Sequence, residues 1–260
     1  MKTEIMDFVN RMCAFIPTRK AKRLTKKYAS RLLGIKDYSL YSGERQTAAD
    51  LDQIRKDHTA RYRLAADFLE KHYGQAAALE GYDVFCGIGY GTFMLSEGLK
   101  NAKITGIDGS TEAIELANRC YRTPGTTYRQ EFFPFELPEN SADFFVSLES
   151  LEHVQAEESF LGLIERTLKP RGILIISVPN EEKWKLDVNA QHFHFRHYKP
   201  AELTEKLKGF GFELIRRYGQ DIYKMSPSLK KEGQEDSSVM EDLKPDYDGQ
   251  CCIYICRKTE

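Results

Sequence analysis

A glycine-rich turn carries the residues with the clearest chemical potential in this 260-residue sequence. It runs Asp83-Val-Phe-Cys-Gly-Ile-Gly-Tyr-Gly-Thr92, with a strand pattern before the turn and a helix pattern after it. Glycines such as Gly87 and Gly89 allow positive φ angles and a close approach of the backbone to a ligand. The amino end of the following helix offers unpaired N–H groups and a partial positive charge. This arrangement suits a nucleotide-type cofactor, although several different cofactors share it.

Two carboxylates near the turn narrow the choice of ligand. Asp83 lies inside the strand, where a carboxylate fits a ligand with a cationic amine or sulfonium group better than a pyrophosphate. Asp108 ends the next predicted strand, about 20 residues past the turn, where an acid can accept both hydroxyls of a ribose. Ser110 can cap the following helix, and Asp108 could likewise be a capping acid. The glycine turn upstream favours ribose binding by Asp108.

Two histidines could serve as a general base, because imidazole exchanges protons near neutral pH. His153 follows the fourth predicted strand, and His194 lies in the segment Gln191-His-Phe-His-Phe-Arg-His197. The alternative for His153 is a hydrogen-bonded residue that orients its loop. For His192 and His197 we predict a structural role, since only one ring of this segment need point into a site.

The elements that must position these residues alternate between short strands and helices. Strands are predicted at Tyr82–Cys86, Lys103–Asp108, Phe144–Leu148, Ile173–Val178, Phe212–Tyr218 and Cys252–Cys256. Helices are predicted at His58–His72, Thr92–Lys100, Thr111–Cys120, Ser159–Leu168 and Ala201–Lys208. This alternation predicts an α/β fold, a doubly wound, mostly parallel, seven-stranded Rossmann-like sheet with helices on both faces. Such sheets bind ligands at the carboxyl ends of their strands.

Composition and charge exclude several classes of protein. Apolar residues make up 41% and charged residues 30%, so a core can form and global disorder is excluded. With 38 basic and 39 acidic residues, the net charge of -1 argues against a general polyanion binder, and no nucleic-acid partner is expected. No apolar run is long enough for a membrane span, and no signal peptide is apparent, which predicts a cytoplasmic protein. The six cysteines lack paired spacing and are expected to be free thiols.

The chain divides by composition into an arm and a main domain. Residues 1–56 are predicted to form a basic N-terminal helical arm, and residues 57–260 the main domain. Within the arm, residues 8–34 contain basic but no acidic side chains, so they could lie on an anionic membrane surface or form a solvated arm. Residues 225–249 form a polar insertion that is predicted to be mobile, or alternatively a lid over the site.

These motifs together resemble those of class I S-adenosylmethionine-dependent methyltransferases, over about His58 to Cys256. The resembling segments are the turn from Asp83 to Gly91, Asp108 as the ribose acid, Gln130–Phe132 near the adenine, Ala142–Val154 and Leu168–Asn180. The resemblance implies S-adenosylmethionine as the cofactor. It implies that the cofactor is held by Arg61, Tyr62, Asp83, Gly87, Gly89, Asp108, Gly109, Glu131, Phe132 and Ser147.

A closer resemblance is to bacterial methyltransferases found with surface-polysaccharide and O-antigen genes. It rests on Gly43-Glu-Arg45, on His58-Thr-Ala-Arg-Tyr62 and on the region from Asn189 to Tyr198. This resemblance implies a saccharide or glycolipid hydroxyl as the methyl acceptor, with His153 or His194 as the catalytic base. Aromatic side chains that could line the acceptor pocket are Trp184, Phe195 and Tyr198.

Two alternatives remain open, and both follow from the same resemblance. The first is an O-methyltransferase of a quinone or other small metabolite. The second is a non-catalytic binding module, because Phe85 stands where the family usually has a small residue, and its ring could crowd the cofactor. Gly81 and Tyr82 also replace the usual aliphatic residues, which predicts poorer packing of this strand.

A metal site is a further alternative around the fourth strand. Glu149, Glu152, His153 and His194 resemble a Glu-x-x-Glu-His pattern with a later histidine that is tied to a divalent metal in some 2′-O- and quinone O-methyltransferases. Two carboxylates and two imidazoles could hold a borderline metal with open positions for vicinal hydroxyls. Relatives without metal carry the same Glu-His pair, so we predict that no metal is bound.

Overall fold

The computed structural model describes residues 46–188, 191, 193–229 and 231–260. The membrane alternative for residues 8–34 and the Gly43–Arg45 motif lie outside this part of the chain. Residues just before the predicted boundary at 57 already pack on the main domain: Ile54 is buried in its core, and Tyr121 donates a hydrogen bond to the Ala48 carbonyl. Within the described ranges, no helix is both long and apolar enough to cross a membrane.

The described chain alternates strands and helices as the sequence predicts. The helices are α1 (Lys56–Tyr73), α2 (Tyr90–Gly98), α3 (Thr111–Cys120), α4 (Glu157–Thr167), α5 (Pro200–Gly209) and α6 (Ser237–Glu241). The strands are β1 (Glu80–Val84), β2 (Lys103–Asp108), β3 (Thr126–Gln130), β4 (Ala142–Leu148), β5 (Leu168–Pro179), β6 (Phe212–Gln220), β7 (Tyr223–Met225), β8 (Lys231–Gln234), β9 (Lys244–Pro245) and β10 (Cys251–Lys258).

The main sheet is doubly wound and mostly parallel, but it has eight strands rather than the predicted seven. Their order is β3-β2-β1-β4-β5-β10-β6-β9, and the pairs from β3 to β5 are parallel. Strand β10 runs antiparallel to both of its neighbours, β5 and β6. The additional strand, β9, contributes two residues at the edge, where a proline is tolerated because the outer side needs no N–H donor.

The polar insertion at residues 225–249 contains regular structure. It holds strands β8 and β9 and helix α6, and β8 pairs with β7 in a separate two-stranded sheet. The predicted mobility of this insertion stays a prediction. Its polar composition reflects exposed faces of short elements, which leave few positions for apolar residues. The five cysteines in the described part of the chain are free thiols, as predicted.

Alternation along the central strands produces two cores, one on each face of the sheet. On β4, Phe144 and Val146 face the cluster formed with α1, α2 and α3, whereas Phe145 faces the cluster formed with α4 and α5. The long apolar run of β5 supplies both faces in the same way, which is the pattern of a strand buried on two sides. Burial on both faces fixes the register, and so it fixes where each strand ends.

Strand β1 is packed by an interaction that the sequence reading missed. Gly81 lies opposite Phe144 in the parallel pair, and a Cβ atom on Gly81 would lie 2.2 Å from the Phe144 ring. The glycine therefore makes room for the ring. Tyr82 points to the other face, where its ring lies 6.2 Å from that of Phe145. The prediction of poor packing at these two positions is wrong, because a large side chain on β4 fills the space that an aliphatic would occupy on β1.

Substitution of Gly81 tests this complementarity. We expect Gly81→Ala to lower the free energy of unfolding by about 1–3 kcal/mol, because the added methyl must displace a fully buried ring. Gly209→Ala is the matched control, since its added methyl meets no atom within 4 Å among the described residues other than its chain neighbours and its own helix backbone. Urea denaturation of both variants, of Phe144→Leu and of Gly81→Ala/Phe144→Leu measures the effect. Equal stability of the two single variants, or strict additivity in the double variant, would contradict the proposed contact.

Candidate active site

The chain turns sharply between β1 and α2 because three residues there adopt positive φ angles. The φ values are 64° at Phe85, 57° at Gly87 and 83° at Gly89. The amides of Phe85 and Cys86 both donate to the Ile107 carbonyl, which holds the turn against the end of β2. Gly89 must remain glycine for space as well, since a Cβ there would lie 2.7 Å from the side chains of Ala117 and Tyr128.

Asp108 fastens the end of β2 to this turn. One carboxylate oxygen accepts a hydrogen bond from the Gly87 amide at 3.0 Å, and the other accepts one from the Ser110 amide at 2.8 Å. Ser110 caps α3 with its hydroxyl, which accepts from the Ala113 amide. An ionised carboxylate can accept about four hydrogen bonds, more than the two from the Gly87 and Ser110 amides. Asp108 therefore fastens the turn, Ser110 rather than Asp108 caps α3, and ribose binding by Asp108 stays a prediction.

A cavity of about 830 Å³ opens at the carboxyl ends of the strands, the position expected for a doubly wound sheet. Nine of the predicted site residues line it. They are Arg61, Tyr62, Gly87, Asp108, Gly109, Glu131, Phe132, His153 and His194. The cofactor residues and the two candidate bases therefore share one space, as a transfer reaction between two bound molecules requires.

The part of the cavity formed by Gly87, Asp108, Gly109, Glu131 and Phe132, which we call the cradle, fits a nucleoside. Gly87 faces open space, because a Cβ atom added there would have no atom of the described residues within 4 Å. Phe132 packs against Gly109, where a Cβ would lie 2.5 Å from the ring, and Phe132 is 55% exposed at the cavity edge. Glu131 is held by an ion pair with Arg129 and by its amide, which donates to the Asp108 carbonyl. The Asp108 carboxylate, which is able to bind ribose hydroxyls, and the Phe132 ring, which is able to pack on a nucleobase, thus lie side by side.

Three predicted cofactor residues do not reach the cavity wall. Gly89 is buried against Ala117 and Tyr128, Asp83 is fully buried, and the Ser147 hydroxyl finds no hydrogen-bond partner among the described residues. The contact of these three residues with a cofactor stays a prediction. The physical reason for their position is alternation along β1 and β4: only residues at or beyond the strand ends reach the cavity, and Asp83 and Ser147 lie within their strands.

Asp83 instead stabilises the elements around the cradle through buried hydrogen bonds with Thr92 and Tyr62. Its carboxylate accepts hydrogen bonds from the Thr92 hydroxyl at 2.6 Å and from the Tyr62 hydroxyl at 3.0 Å. Tyr62 in turn lies against Gly91, where a Cβ would come within 2.0 Å of the ring. Burial raises the pKa of Asp83 to about 7, although the two hydroxyl donors oppose this shift and nearby Asp108 adds to it.

Arg61 is a buried charge centre rather than an unpaired cation. Its guanidinium lies 2.8 Å from the Asp57 carboxylate and 3.3 Å from the Glu149 carboxylate, and it donates to the Cys251 sulfur at 3.3 Å. Glu149 also accepts hydrogen bonds from Ser177 and Cys251. The expected hold of Arg61 on a cofactor carboxylate stays a prediction, and any such ligand would share the guanidinium with two acids.

The two candidate bases lie together across the cavity from the cradle. Their rings meet edge to face, with centroids 4.6 Å apart. His153 Nδ1 lies 3.2 Å from the Phe193 carbonyl, and since a carbonyl only accepts, Nδ1 carries a proton, which leaves the lone pair of a neutral ring on Nε2. Glu152 places a carboxylate oxygen 3.7 Å from that Nε2 atom. A neutral His153 is therefore able to accept a proton at Nε2.

Three of the four residues in the suggested metal constellation converge. Glu152, His153 and His194 each offer one ligand atom, and these atoms lie within 4.8 Å of one another. Glu149 is not part of the group, because its carboxylate is committed to Arg61, Ser177 and Cys251. Two imidazoles and one carboxylate with open positions form a ligand set used in catalytic metal sites. The absence of a bound metal stays a prediction.

The Phe85 ring does not fill the cradle. Its ring lies 5.2 Å from that of Phe160 in an aromatic group on the α4 side of the sheet, and one part of the ring forms cavity wall. The aromatic group therefore accommodates a residue that the positive φ angle alone disfavours.

The sequence reading missed residues that complete the far side of the cavity. Tyr223 on β7 lies between two cations, with the Lys231 ammonium 3.6 Å and the Arg55 guanidinium 5.7 Å from its ring centroid. All three line the cavity, so the β7–β8 hairpin forms part of its wall, and its action as a lid stays a prediction. Trp184 and Phe195 also line the wall, whereas Tyr198 is fully buried beneath it. An aromatic residue just ahead of the polar insertion was the available signal.

Comparison with known proteins identifies the domain. Residues 82–176 match the family model described as a methyltransferase domain. A probable S-adenosylmethionine-dependent methyltransferase of Mycolicibacterium smegmatis is 30% identical over an alignment that spans 50% of each chain. The ubiquinone biosynthesis O-methyltransferase of Rickettsia canadensis is 29% identical over 64% of this chain and 75% of its own.

A solved S-adenosylmethionine-dependent methyltransferase from Mesorhizobium loti shares the fold. It superposes with a TM-score of 0.55 at 16% sequence identity, covering 74% of this chain and 96% of its own. Residues 82–176 are therefore similar to a methyltransferase domain, and S-adenosylmethionine is the cofactor of enzymes of this kind. The more specific resemblance to O-antigen methyltransferases stays a prediction.

The buried Asp83 carboxyl makes stability depend on pH. Its folded pKa of about 7 lies above the unfolded value of 3.8, so its contribution to stability is complete below pH 3.8 and is lost as pH rises to about 7. The difference of about three pKa units corresponds to about 4 kcal/mol. We expect Asp83→Asn to remove this decline, as measured by urea unfolding between pH 4 and 8.

The exposed Asp67 on α1 provides the control for this measurement. Asp67→Asn is expected to keep the pH dependence of the wild-type protein. Parallel stability profiles for Asp83→Asn and the wild type across this range would show that Asp83 is ionised in the folded protein at acidic pH.

Proposed function

We propose that this protein methylates a hydroxyl group of an aromatic small molecule, with His194 or His153 as the base. The observation that carries this proposal is the placement of two imidazoles in the same cavity as the Asp108 cradle. A hydroxyl must lose its proton as it gains a methyl group, and a neutral imidazole nitrogen is a suitable acceptor for that proton.

The residues divide into a group for the cofactor and a group for the acceptor. S-adenosylmethionine supplies a methyl group that is already activated on a sulfonium. Asp108 would accept hydrogen bonds from the ribose hydroxyls, and Phe132 would pack on the adenine. The protein then contributes alignment of the two reactants, which can account for a large part of the barrier reduction.

The acceptor side of the cavity is rich in aromatic side chains. Rings contributed to its wall include those of Phe133, Trp184, Phe193, Phe195 and Tyr223. Such rings stack on phenols and on sugars alike. The name of one relative, a ubiquinone biosynthesis O-methyltransferase, favours a phenol. A second relative, a demethylmenaquinone methyltransferase of Tropheryma whipplei at 33% identity over 45% of this chain, is named for a quinone, which is likewise an aromatic-type ring substrate, but its name does not state a hydroxyl acceptor.

The saccharide acceptor predicted from sequence draws no support from these relatives. It enters the test as the competing substrate class. The non-catalytic alternative rests on Phe85, whose ring forms part of the cavity wall. This alternative predicts that S-adenosylmethionine does not bind in the millimolar range.

The decisive experiment combines calorimetry with a transfer assay. We expect S-adenosylmethionine to bind the full chain, and its labelled methyl group to reach catechol-type acceptors but not a panel of free and lipid-linked sugars. His153→Ala and His194→Ala should bind the cofactor as the wild type does. One of them, the variant that has lost the base, should reduce kcat by about 10²- to 10⁴-fold. His72→Ala, on the outer face of α1, is the control.

Three results would contradict parts of this proposal. Transfer to sugars alone would replace the phenol with the saccharide, and undetectable cofactor binding would support a non-catalytic module. Transfer that disappears with a chelator and returns with a divalent cation would add a metal to the Glu152, His153 and His194 group.

A further inference from the structure

A chain of hydrogen bonds links His194 to the protein backbone through a second histidine. His197 Nδ1 lies 2.7 Å from the Trp184 carbonyl oxygen, and His197 Nε2 lies 2.7 Å from His194 Nδ1. Both distances are typical of strong hydrogen bonds between ring nitrogens and their partners. Sequence reasoning gave His197 only a structural role, because its spacing does not reveal which groups its two nitrogens meet.

The carbonyl end of this chain is fixed to the sheet. The Trp184 amide donates to the Asn180 carbonyl at 2.8 Å, which closes a turn directly after β5. Asn180 is fully buried, and its side chain donates to the Gly249 carbonyl at 2.9 Å. Because these bonds tie the turn to the β5 and β10 ends, the Trp184 carbonyl has a defined position and direction.

The direction of each hydrogen bond follows from the carbonyl acceptor at one end of the chain and from a neutral His197 ring. A carbonyl oxygen can only accept, so His197 Nδ1 must carry a proton. The ring is buried, and burial lowers the pKa of His197, although the Trp184 carbonyl and Glu181 partly oppose the shift. A neutral His197 with its proton on Nδ1 has a lone pair on Nε2. That lone pair accepts a hydrogen bond, so His194 Nδ1 must be the donor.

The same logic determines the state of the second ring. A neutral His194 with a proton on Nδ1 has its lone pair on Nε2, and His194 is one of the three residues whose potential ligand atoms converge with those of Glu152 and His153. We propose that His197 is a positioning residue. It donates a hydrogen bond to the Trp184 carbonyl and accepts one from His194, and it thereby selects the tautomer of His194 that presents a basic Nε2 atom to the acceptor. This inference rests on the proposed methyl transfer to a hydroxyl.

The arrangement defines where the proton goes during the reaction. The acceptor hydroxyl gives its proton to His194 Nε2, and the resulting imidazolium keeps its donation from Nδ1 to His197. Neither His197 nor the Trp184 carbonyl changes protonation, so the proton leaves from Nε2 to water in the open cavity. His197 thus acts through orientation and hydrogen bonding and not as a proton carrier.

The packing around His197 supports a role in positioning. The Trp184 ring lies 5.3 Å from the His197 ring and 6.3 Å from the His194 ring, and it also packs against Tyr223 at 5.0 Å. The His194 and His197 centroids are 5.0 Å apart. Because the three rings and the β7 tyrosine pack on one another, rotation of either imidazole would disturb the cavity wall.

Nuclear magnetic resonance of the full chain tests the tautomer without any substrate. The chain has six histidines, and long-range proton–nitrogen correlation distinguishes a protonated from an unprotonated ring nitrogen. With uniformly labelled histidine, we expect both His194 and His197 to carry their protons on Nδ1. Signals are assigned by their loss in single substitutions. A wild-type spectrum in which His194 carries its proton on Nε2 would overturn the proposal.

Substitutions at His197 separate positioning from simple packing. His197→Phe keeps a ring but removes both hydrogen bonds, so the His194 signals should lose their Nδ1 preference. His197→Gln keeps an acceptor for His194 and should restore it. In the transfer assay we expect His197→Phe to lower kcat by about 10- to 100-fold with an unchanged KM for S-adenosylmethionine, and His197→Gln to recover most of that loss. His72→Phe is the matched control.

The outcomes distinguish this inference from the proposed function. Transfer activity together with the opposite His194 tautomer, or with a His197→Phe spectrum like the wild type, overturns the role of His197 and leaves the enzyme activity intact. The predicted tautomers without transfer to any acceptor overturn the proposed function instead. Should His197→Phe fail to fold, the wild-type and His197→Gln spectra still decide the tautomer.

Discussion

The site depends on one constraint, the reversal of the chain within five residues at the end of β1. Positive φ angles at Phe85, Gly87 and Gly89 make this turn, and the Asp108 carboxylate closes it through the Gly87 amide. The carboxyl ends of β1 and β2 and the amino ends of α2 and α3 thereby meet at one edge of the sheet. Because the strands are buried on both faces, this edge cannot shift without moving a core. A preorganised cradle for a nucleoside follows from the fold itself.

Much of this arrangement is predictable from the sequence because it depends on local pattern. The alternation of apolar runs and amphipathic segments predicts most strands and helices, and the α3 bounds coincide with the prediction. The glycine spacing predicts the turn, and the position of Asp108 at the end of the next strand predicts that its carboxylate lies beside this turn. Strand β3 has no strong apolar run and escaped the pattern, and the edge strand β9 is too short to leave any signal.

What the sequence could not reveal is the direction in which individual side chains point. Asp83 and Ser147 stand near the motif in sequence, yet one hydrogen-bonds to Tyr62 and Thr92 inside the domain and the other faces the opposite layer. The contact of Tyr223 with Arg55 and that of His197 with the Trp184 carbonyl join residues that are separated in the chain. Distant contacts of this kind have no periodicity, and only the packed structure brings them together.

A crystal structure of the protein with S-adenosylmethionine tests the central claim most directly. The account predicts the ribose hydroxyls within hydrogen-bonding distance of the Asp108 carboxylate, with the sulfonium methyl directed toward the imidazoles of His153 and His194. A structure grown at millimolar cofactor in which the Phe85 ring has turned into the cradle, or in which the nucleoside lies elsewhere, would contradict it.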